Sequence, residues 1–332
     1  MASMGEHAYA YAKACGIIGK SFVGTRMRLL EKAGNLSELD RIVFPDSSQS
    51  LPEKELLFDL EKRLGERAIK SILSILRSFT KPPEFLVLLV RGYEYADLKN
   101  ALVAAFEKEK SAPPFTDIGR YQTVRFKEWP DIRKMLEGTE FDFLLSKGNI
   151  IDKGKGSITL QSLLDKRYYN SLWKSLFLLP RRDRHITEKI LSDEISLNNS
   201  CWALRLRTYY NMRPDEVKGH LVEIKAEEAL ASLEYPLDSF EPWANWHWRR
   251  FLNPETGGRF WNANPRHFQN AASQYLYRLA KNRFHSAPGE LSTTFCFIKI
   301  KQFEEDLLTS IAEGLGMGMN SADVFQLLEV TA

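Results

Sequence analysis

Residues 194–217 read EISLNNSCWALRLRTYYNMRPDEV. Asn199, Trp202, Leu206 and Tyr209 recur at helical spacing on one face, and Arg205 neighbours Trp202. Pro214, Asp215 and Glu216 then place a proline and two acids in the first turn of a new helix. The stretch therefore reads as one long helix, a break, and a fresh helix start. The same grammar recurs on either side of it.

Upstream, FVGTRMRLLEKA at 22–33 has a helical apolar period, with Phe22, Val23, Met27, Leu29 and Leu30. Asn35 and Glu38 have the spacing of a capping box. Pro52 precedes the amphipathic run EKELLFDLEKRLGERAIKSILSILRSF. Strand-like alternation is scarce. TTFCFIKIKQF at 293–303 is the best strand candidate, and it could equally enter a helix. The expected class is all-α. APPF at 112–115, KGNIIDKGKGS at 147–157 and the aromatic stretch 235–270 read as loops, and PRRDRH at 180–185 as a basic turn between helices.

Two helical elements repeat in the same order. LEKRLGERAIKSI at 60–72 matches LDKRYYNSLWKSL at 164–176, with ASQYLYRLAKNRF at 272–284 as a weaker third copy. Each is followed by a second element: GYEYADLKNALVAAF at 92–106, the stretch at 194–217, and KQFEEDLLTSIAEGLGMGMNSADVF at 301–325. Glu94, Ser196 and Glu304 then fall in register, with Asn320 capping three residues before Asp323. The period is about 100–110 residues. It divides the chain into units 1–112, 113–222 and 223–332, the third carrying the aromatic insertion 235–270.

Composition narrows the function classes. Of 332 residues, 46 are Lys or Arg and 43 are Asp or Glu, a balance too even for a global nucleic-acid-binding field. No apolar run approaches the roughly 20 residues that span a bilayer, and the N-terminus lacks the pattern of a signal peptide. Cys15, Cys201 and Cys296 are odd in number and far apart, so reduced, buried thiols are expected. The six histidines show no ligand spacing, and no nucleophile motif appears. No catalytic, cofactor or metal site assembles from these residues.

ACGIIGKS at 14–21 comes near the phosphate loop G-x-x-x-x-G-K-[ST]. A phosphate loop follows a strand and opens a helix. The preceding HAYAYAKAC is alanine-rich and helix-forming instead, so Lys20 and Ser21 are expected in or at the edge of the first helix. WHWRR at 246–250 interleaves aromatics with arginines, a pattern that can stack bases and neutralise phosphates. It equally fits a loop anchored by its tryptophans, or a protein contact.

The stretch 194–217 resembles the motif of the AC39-like family, which comprises the C subunits of V/A-type (vacuolar/archaeal-type) rotary ATPases and their d counterparts in the eukaryotic V-ATPase. That motif runs roughly E-I-D-L-x-N-I-x-W-x-x-R-x-[KR]-x-Y-Y-x-L-[ST]-x-E-E-I. Glu194, Leu197, Asn199, Trp202, Arg205, Arg207, Tyr209, Tyr210, Asp215, Glu216 and Val217 fit it. AYAYAKA…RMRLLEKAGNLSEL and IKIKQFEEDLLTSIAEG resemble the family's opening and ending. Ser196 replaces the usual acid, and Leu307 and Thr309 replace an expected Asn and Arg.

The resemblance implies an all-α funnel of three pseudo-symmetric units. Such a protein is a non-catalytic, cofactor-free part of the central stalk, peripheral to the cytoplasmic face of the membrane. Its implied partners are the central-shaft subunits and the proteolipid ring, in a machine moving H⁺ or Na⁺. On this basis Arg205, Arg207, Trp246, Trp248 and Arg249 are candidate partner-facing residues. Glu94, Glu194, Asn199, Trp202, Tyr209, Tyr210 and Glu304 are structural motif residues, with Trp202 and Tyr209 packing the unit and Asn199 satisfying buried backbone. The alternative is an α-helical nucleic-acid-binding or scaffold protein using WHWRR and PRRDRH.

Overall fold

Proline and asparagine punctuate a chain of helices. The computed structural model describes residues 4–46, 51–109, 111–145, 157–255 and 260–328. The expected loop at 147–157 lies, apart from Ser157, outside them. Among the described residues there are thirteen α-helices and no strand. They are α1 (Met4–Ile18), α2 (Met27–Leu30), α3 (Leu36–Val43), α4 (Glu53–Leu76), α5 (Glu84–Phe106), α6 (Ile132–Leu136) and α7 (Ser157–Leu176). Then follow α8 (Arg181–Tyr210), α9 (Pro214–Lys218), α10 (Glu227–Ser232), α11 (Pro265–Phe284), α12 (Leu291–Gly316) and α13 (Ser321–Leu328).

Local signals set most boundaries. Pro52, Pro83 and Pro180 each stand immediately before a long helix. The Asn35 side chain accepts from the Glu38 N–H at 3.0 Å, and Asn320 from the Asp323 N–H at 2.9 Å. α8 ends where Asn211 turns left-handed (φ 51°), with the Met212 N–H returning to the Leu206 carbonyl.

One reading left open is decided, and one expectation gives way. TTFCFIKIKQF lies within α12, where every residue from Leu291 to Ile298 is buried. A helix covered on all sides loses its polar stripe, so its period disappears from the sequence. PRRDRH is the cap and first turn of α8 rather than a turn between helices.

The long helices form three successive pairs: α4 with α5, α7 with α8, and α11 with α12. The packing skips along this order. α7 lies on α5, α11 on α8, and α4 on α12. Gly92 makes the first of these contacts close, since a Cβ there would stand 2.8 Å from the Tyr168 hydroxyl. Gly316 does the same for the last, with Leu57 Cδ2 at 2.9 Å. α12 also touches α1, α8, α11 and α13 and is the centre of the main core.

The ACGIIGKS stretch runs over the C-terminal end of α1. The N–H groups of Gly19, Lys20 and Ser21 donate to the carbonyls of Cys15, Ile17 and Ile18 at 3.0, 3.0 and 2.9 Å. A helix C-terminus presents carbonyls and the negative end of the dipole, the opposite of a phosphate cradle.

Candidate functional site

The second helix of each pair carries polar residues into the interior, where they bind the backbone of a later or earlier segment. On α5, Glu94 accepts from the Val124 N–H at 2.6 Å and from the Thr123 N–H. Arg91, one turn before it, pairs with Glu94 at 3.0 Å and with Glu140 at 2.7 Å. Asp97 accepts from the Thr116 N–H at 2.6 Å, and burial pushes its carboxyl up to about 6.

On α8 the same work is done without charge. Asn199 Oδ1 accepts from the Val222 N–H at 2.9 Å, and its Nδ2 donates to the carbonyls of Val222 and Ile224 at 2.9 and 3.2 Å. Ser196 Oγ accepts from the Trp248 indole N–H at 3.0 Å. On α12, Glu304 accepts from the Phe22 N–H at 2.7 Å and pairs with Lys301 and with Arg67. Burial opposes the Glu304 charge, but Lys301 and Arg67 outweigh it and hold its carboxyl below the usual range. Burial lowers the pKa of Lys301.

Between these helices lies a polar interior. Lys299 of α12 pairs with Glu194 of α8 at 2.8 Å, leaving Glu194 Oε2 buried without a partner. The Tyr93 hydroxyl of α5 donates to Glu305 of α12 at 2.7 Å. Desolvation nonetheless pushes the Glu305 carboxyl up to about 8. Asp306 reaches the solvent of a cavity whose walls desolvate it, which pushes its carboxyl up to about 6. That cavity measures about 460 Å³ between α11 and α12 and is lined by Gln269, Ser273, Glu305, Asp306, Ser310 and Glu313, among others. A recess of about 220 Å³ shares Asp306 and reaches Glu194, and another of about 190 Å³ is bounded by Asn198, Trp202 and Arg205. Among the described residues no group of His, Cys, Asp and Glu could hold a metal ion.

The candidate residues divide by location. Glu94, Glu194, Asn199 and Glu304 are buried, and Asn199 satisfies backbone as expected. Trp202 is half-buried, with the Arg205 guanidinium 5.8 Å from its ring. Tyr209, expected to pack its unit, is 55% exposed, and Tyr210 beside it is 52% exposed. They occupy the last turn of α8. Arg207 turns inward, donating to the carbonyls of Ser232 and Tyr235 at 2.8 Å each, and burial lowers its pKa.

Trp246 and Trp248, expected to face a partner, are buried with Trp243, Phe251, Trp261 and Phe268 against Leu197, Cys201 and Leu204 of α8. Each indole N–H in this segment has an internal acceptor: Pro236, Glu228 and Asn253 carbonyls for Trp243, Trp246 and Trp261, and Ser196 for Trp248. Arg249 and Arg250 remain exposed. Arg91 and Lys301 join the buried polar set, and the half-buried Lys299 and Glu305 border it, without a family motif to mark them. Arg91 and Lys301 do carry a sequence signal, a cation three residues before each in-register glutamate.

Fold and interior together define an all-α scaffold whose buried polar side chains bind the backbone of neighbouring segments. The chain belongs to the ATP synthase (C/AC39) subunit family, which matches residues 47–325. Members of this family are non-catalytic accessory subunits of V/A-type ATPases. The chain is also 25% identical over 323 residues to a protein of Treponema pallidum (strain Nichols) described as uncharacterized, covering 93% of this chain and 92% of that protein. Among the described residues no helix is long and apolar enough to cross a membrane.

Proposed function

We propose that this chain is a non-catalytic central-stalk component of a V/A-type rotary ATPase, coupling the rotor shaft to the membrane proteolipid ring. It holds no catalytic role of its own and works at the cytoplasmic face of the membrane through the complex. The transported ion, H⁺ or Na⁺, is selected by the ring. Units 1–112, 113–222 and 223–332 form a funnel about a pseudo-threefold axis, whose interior receives the shaft.

The observation that carries this reading, beside the family, is cyclic bonding. α5 caps 116–124, α8 caps 222–225, and α12 caps Phe22 far back in the chain. The helix pairs follow the same rule, with α4 closing on α12. A ring of units closed in this way resists twisting, which a torque coupler requires. The nucleic-acid alternative gains nothing, because the tryptophans of WHWRR are buried and cannot stack on bases.

The test is a gentle detergent pull-down of the tagged protein from native membranes, with mass spectrometry of its companions. Ring proteolipid and shaft subunits are expected; recovery of neither overturns the reading. Arg205→Ala should reduce recovery of the shaft with little change in melting temperature, because its contact among the described residues is the Trp202 ring at the surface. Arg207→Ala should lower the melting temperature instead, since two half-buried carbonyl contacts are lost.

A further inference from the structure

Three turns join the paired helices, and they treat apolar residues differently. In the α4–α5 turn, Phe79 is 2% exposed and stacks edge-on against His7 of α1. The α11–α12 turn, HSAPGE at 285–290, has no large apolar residue. The α7–α8 turn, FLLP at 177–180, puts Phe177 46% and Leu178 80% into solvent.

This turn is firmly built. The N–H groups of Phe177, Leu178 and Leu179 donate to the carbonyls of Lys174, Ser175 and Leu176 at 3.2, 3.2 and 3.1 Å. Leu179 is buried beneath it, and Pro180 opens α8 directly. The Phe177 ring is held between Trp173, at 5.5 Å, and the Arg184 guanidinium, at 5.1 Å. The apolar pair is thus presented outward by a rigid base.

The charges around it sort by sign. Asp183 faces inward and accepts from the Leu291 N–H at 3.0 Å. Glu290 is engaged by Arg182 at 2.6 Å. Lys174 and Arg181 are exposed, and neither has a counter-ion among the described residues. The tip therefore offers an aromatic ring, a leucine and two free cations, with the nearby acids occupied.

We propose that the 177–182 turn is a contact with an anionic lipid surface. Phe177 and Leu178 enter the headgroup–acyl boundary while Lys174 and Arg181 meet lipid phosphates. An apolar tip alone would suit a protein groove. The flanking unpaired cations favour a negatively charged bilayer. One such tip binds weakly and reversibly, so it orients a protein that another contact holds at the membrane. The proposal rests on the geometry of the turn and needs no proteolipid ring for its test.

The experiment is co-sedimentation of the purified full chain with unilamellar vesicles of phosphatidylcholine alone and with roughly one-third phosphatidylglycerol, at low and high salt. Binding is expected on the anionic vesicles only, and it should weaken with salt. Lys174→Gln with Arg181→Gln should weaken it by about fivefold per cation removed. Leu178→Ser should weaken it several-fold without altering the melting temperature, because that side chain is already mostly in solvent. No sedimentation of the wild type, or equal sedimentation of the variants, overturns the proposal. Loss of proteolipid from the membrane pull-down of Leu178→Ser, with vesicle binding unchanged, assigns the turn to a protein contact instead. The coupler reading fails only on the wild-type pull-down, so the two failures are separable.

Discussion

The junction beneath α5 and the junction beneath α8 solve one problem with different chemistry. In both, a helix must satisfy buried N–H groups of the segment that follows it. α5 uses carboxylates, Glu94 and Asp97, and needs Arg91 to offset the buried charge. α8 uses an amide and a hydroxyl, Asn199 and Ser196, and needs no cation for either. A charge-assisted bond is stronger but brings a desolvation cost and a dependence on pH. The neutral junction gives up that strength and does not titrate. α12 repeats the charged solution with Lys301 and Glu304.

The largest effect should come from breaking the charged form. Glu304→Ala leaves Lys301 buried without its ion-pair partner and the Phe22 N–H without its acceptor. A loss of about 3–5 kcal/mol is expected by urea denaturation. Next is the attempt to convert one form into the other. Asn199→Asp keeps the Val222 N–H bond but sets a carboxylate against the carbonyls of Val222 and Ile224. A loss of about 3 kcal/mol at neutral pH should follow, recovering on acidification as the carboxyl takes a proton.

Ser196→Ala removes only the acceptor of the Trp248 indole, and about 1–2 kcal/mol is expected, with a shift in tryptophan fluorescence as a local readout. The smallest structural disturbance is expected at Glu305, which belongs to neither junction and where a glutamine keeps an acceptor for the Tyr93 hydroxyl. Folded, Glu305 keeps its proton to about pH 8; unfolded, it loses it near 4.5. Between those values unfolding releases a proton, so stability falls as pH rises through the window. Glu305→Gln should flatten that slope and leave stability below the window unchanged, as urea midpoints across pH would show.

How far the sequence can be read depends on where each signal resides. The in-register glutamates Glu94 and Glu304 are visible because the helical repeat aligns them. Their partners Val124 and Phe22 are not, because a backbone N–H has no sequence signature. Arg205 and Arg207 look equivalent, two residues apart in one motif. On a helix that spacing separates them by more than half a turn, and only Arg207 finds carbonyls to bind. The WHWRR segment is ambiguous for a similar reason: it has no period, and its tryptophans acquire meaning only against Leu197, Cys201 and Leu204 of α8.

Local sequence is enough for the all-α class and for the family. It is also enough for the start of the long helix at Pro52 and of the shorter ones at Asn35 and Asn320. Caps, proline positions and apolar periods act within a few residues, so they are written locally. Folding adds that 293–303 is helix, that Tyr209 and Tyr210 stand outside the core, that the tryptophans turn inward, and that α4 closes on α12. Those outcomes depend on burial by segments far away in the chain, and burial is a property of the assembled fold.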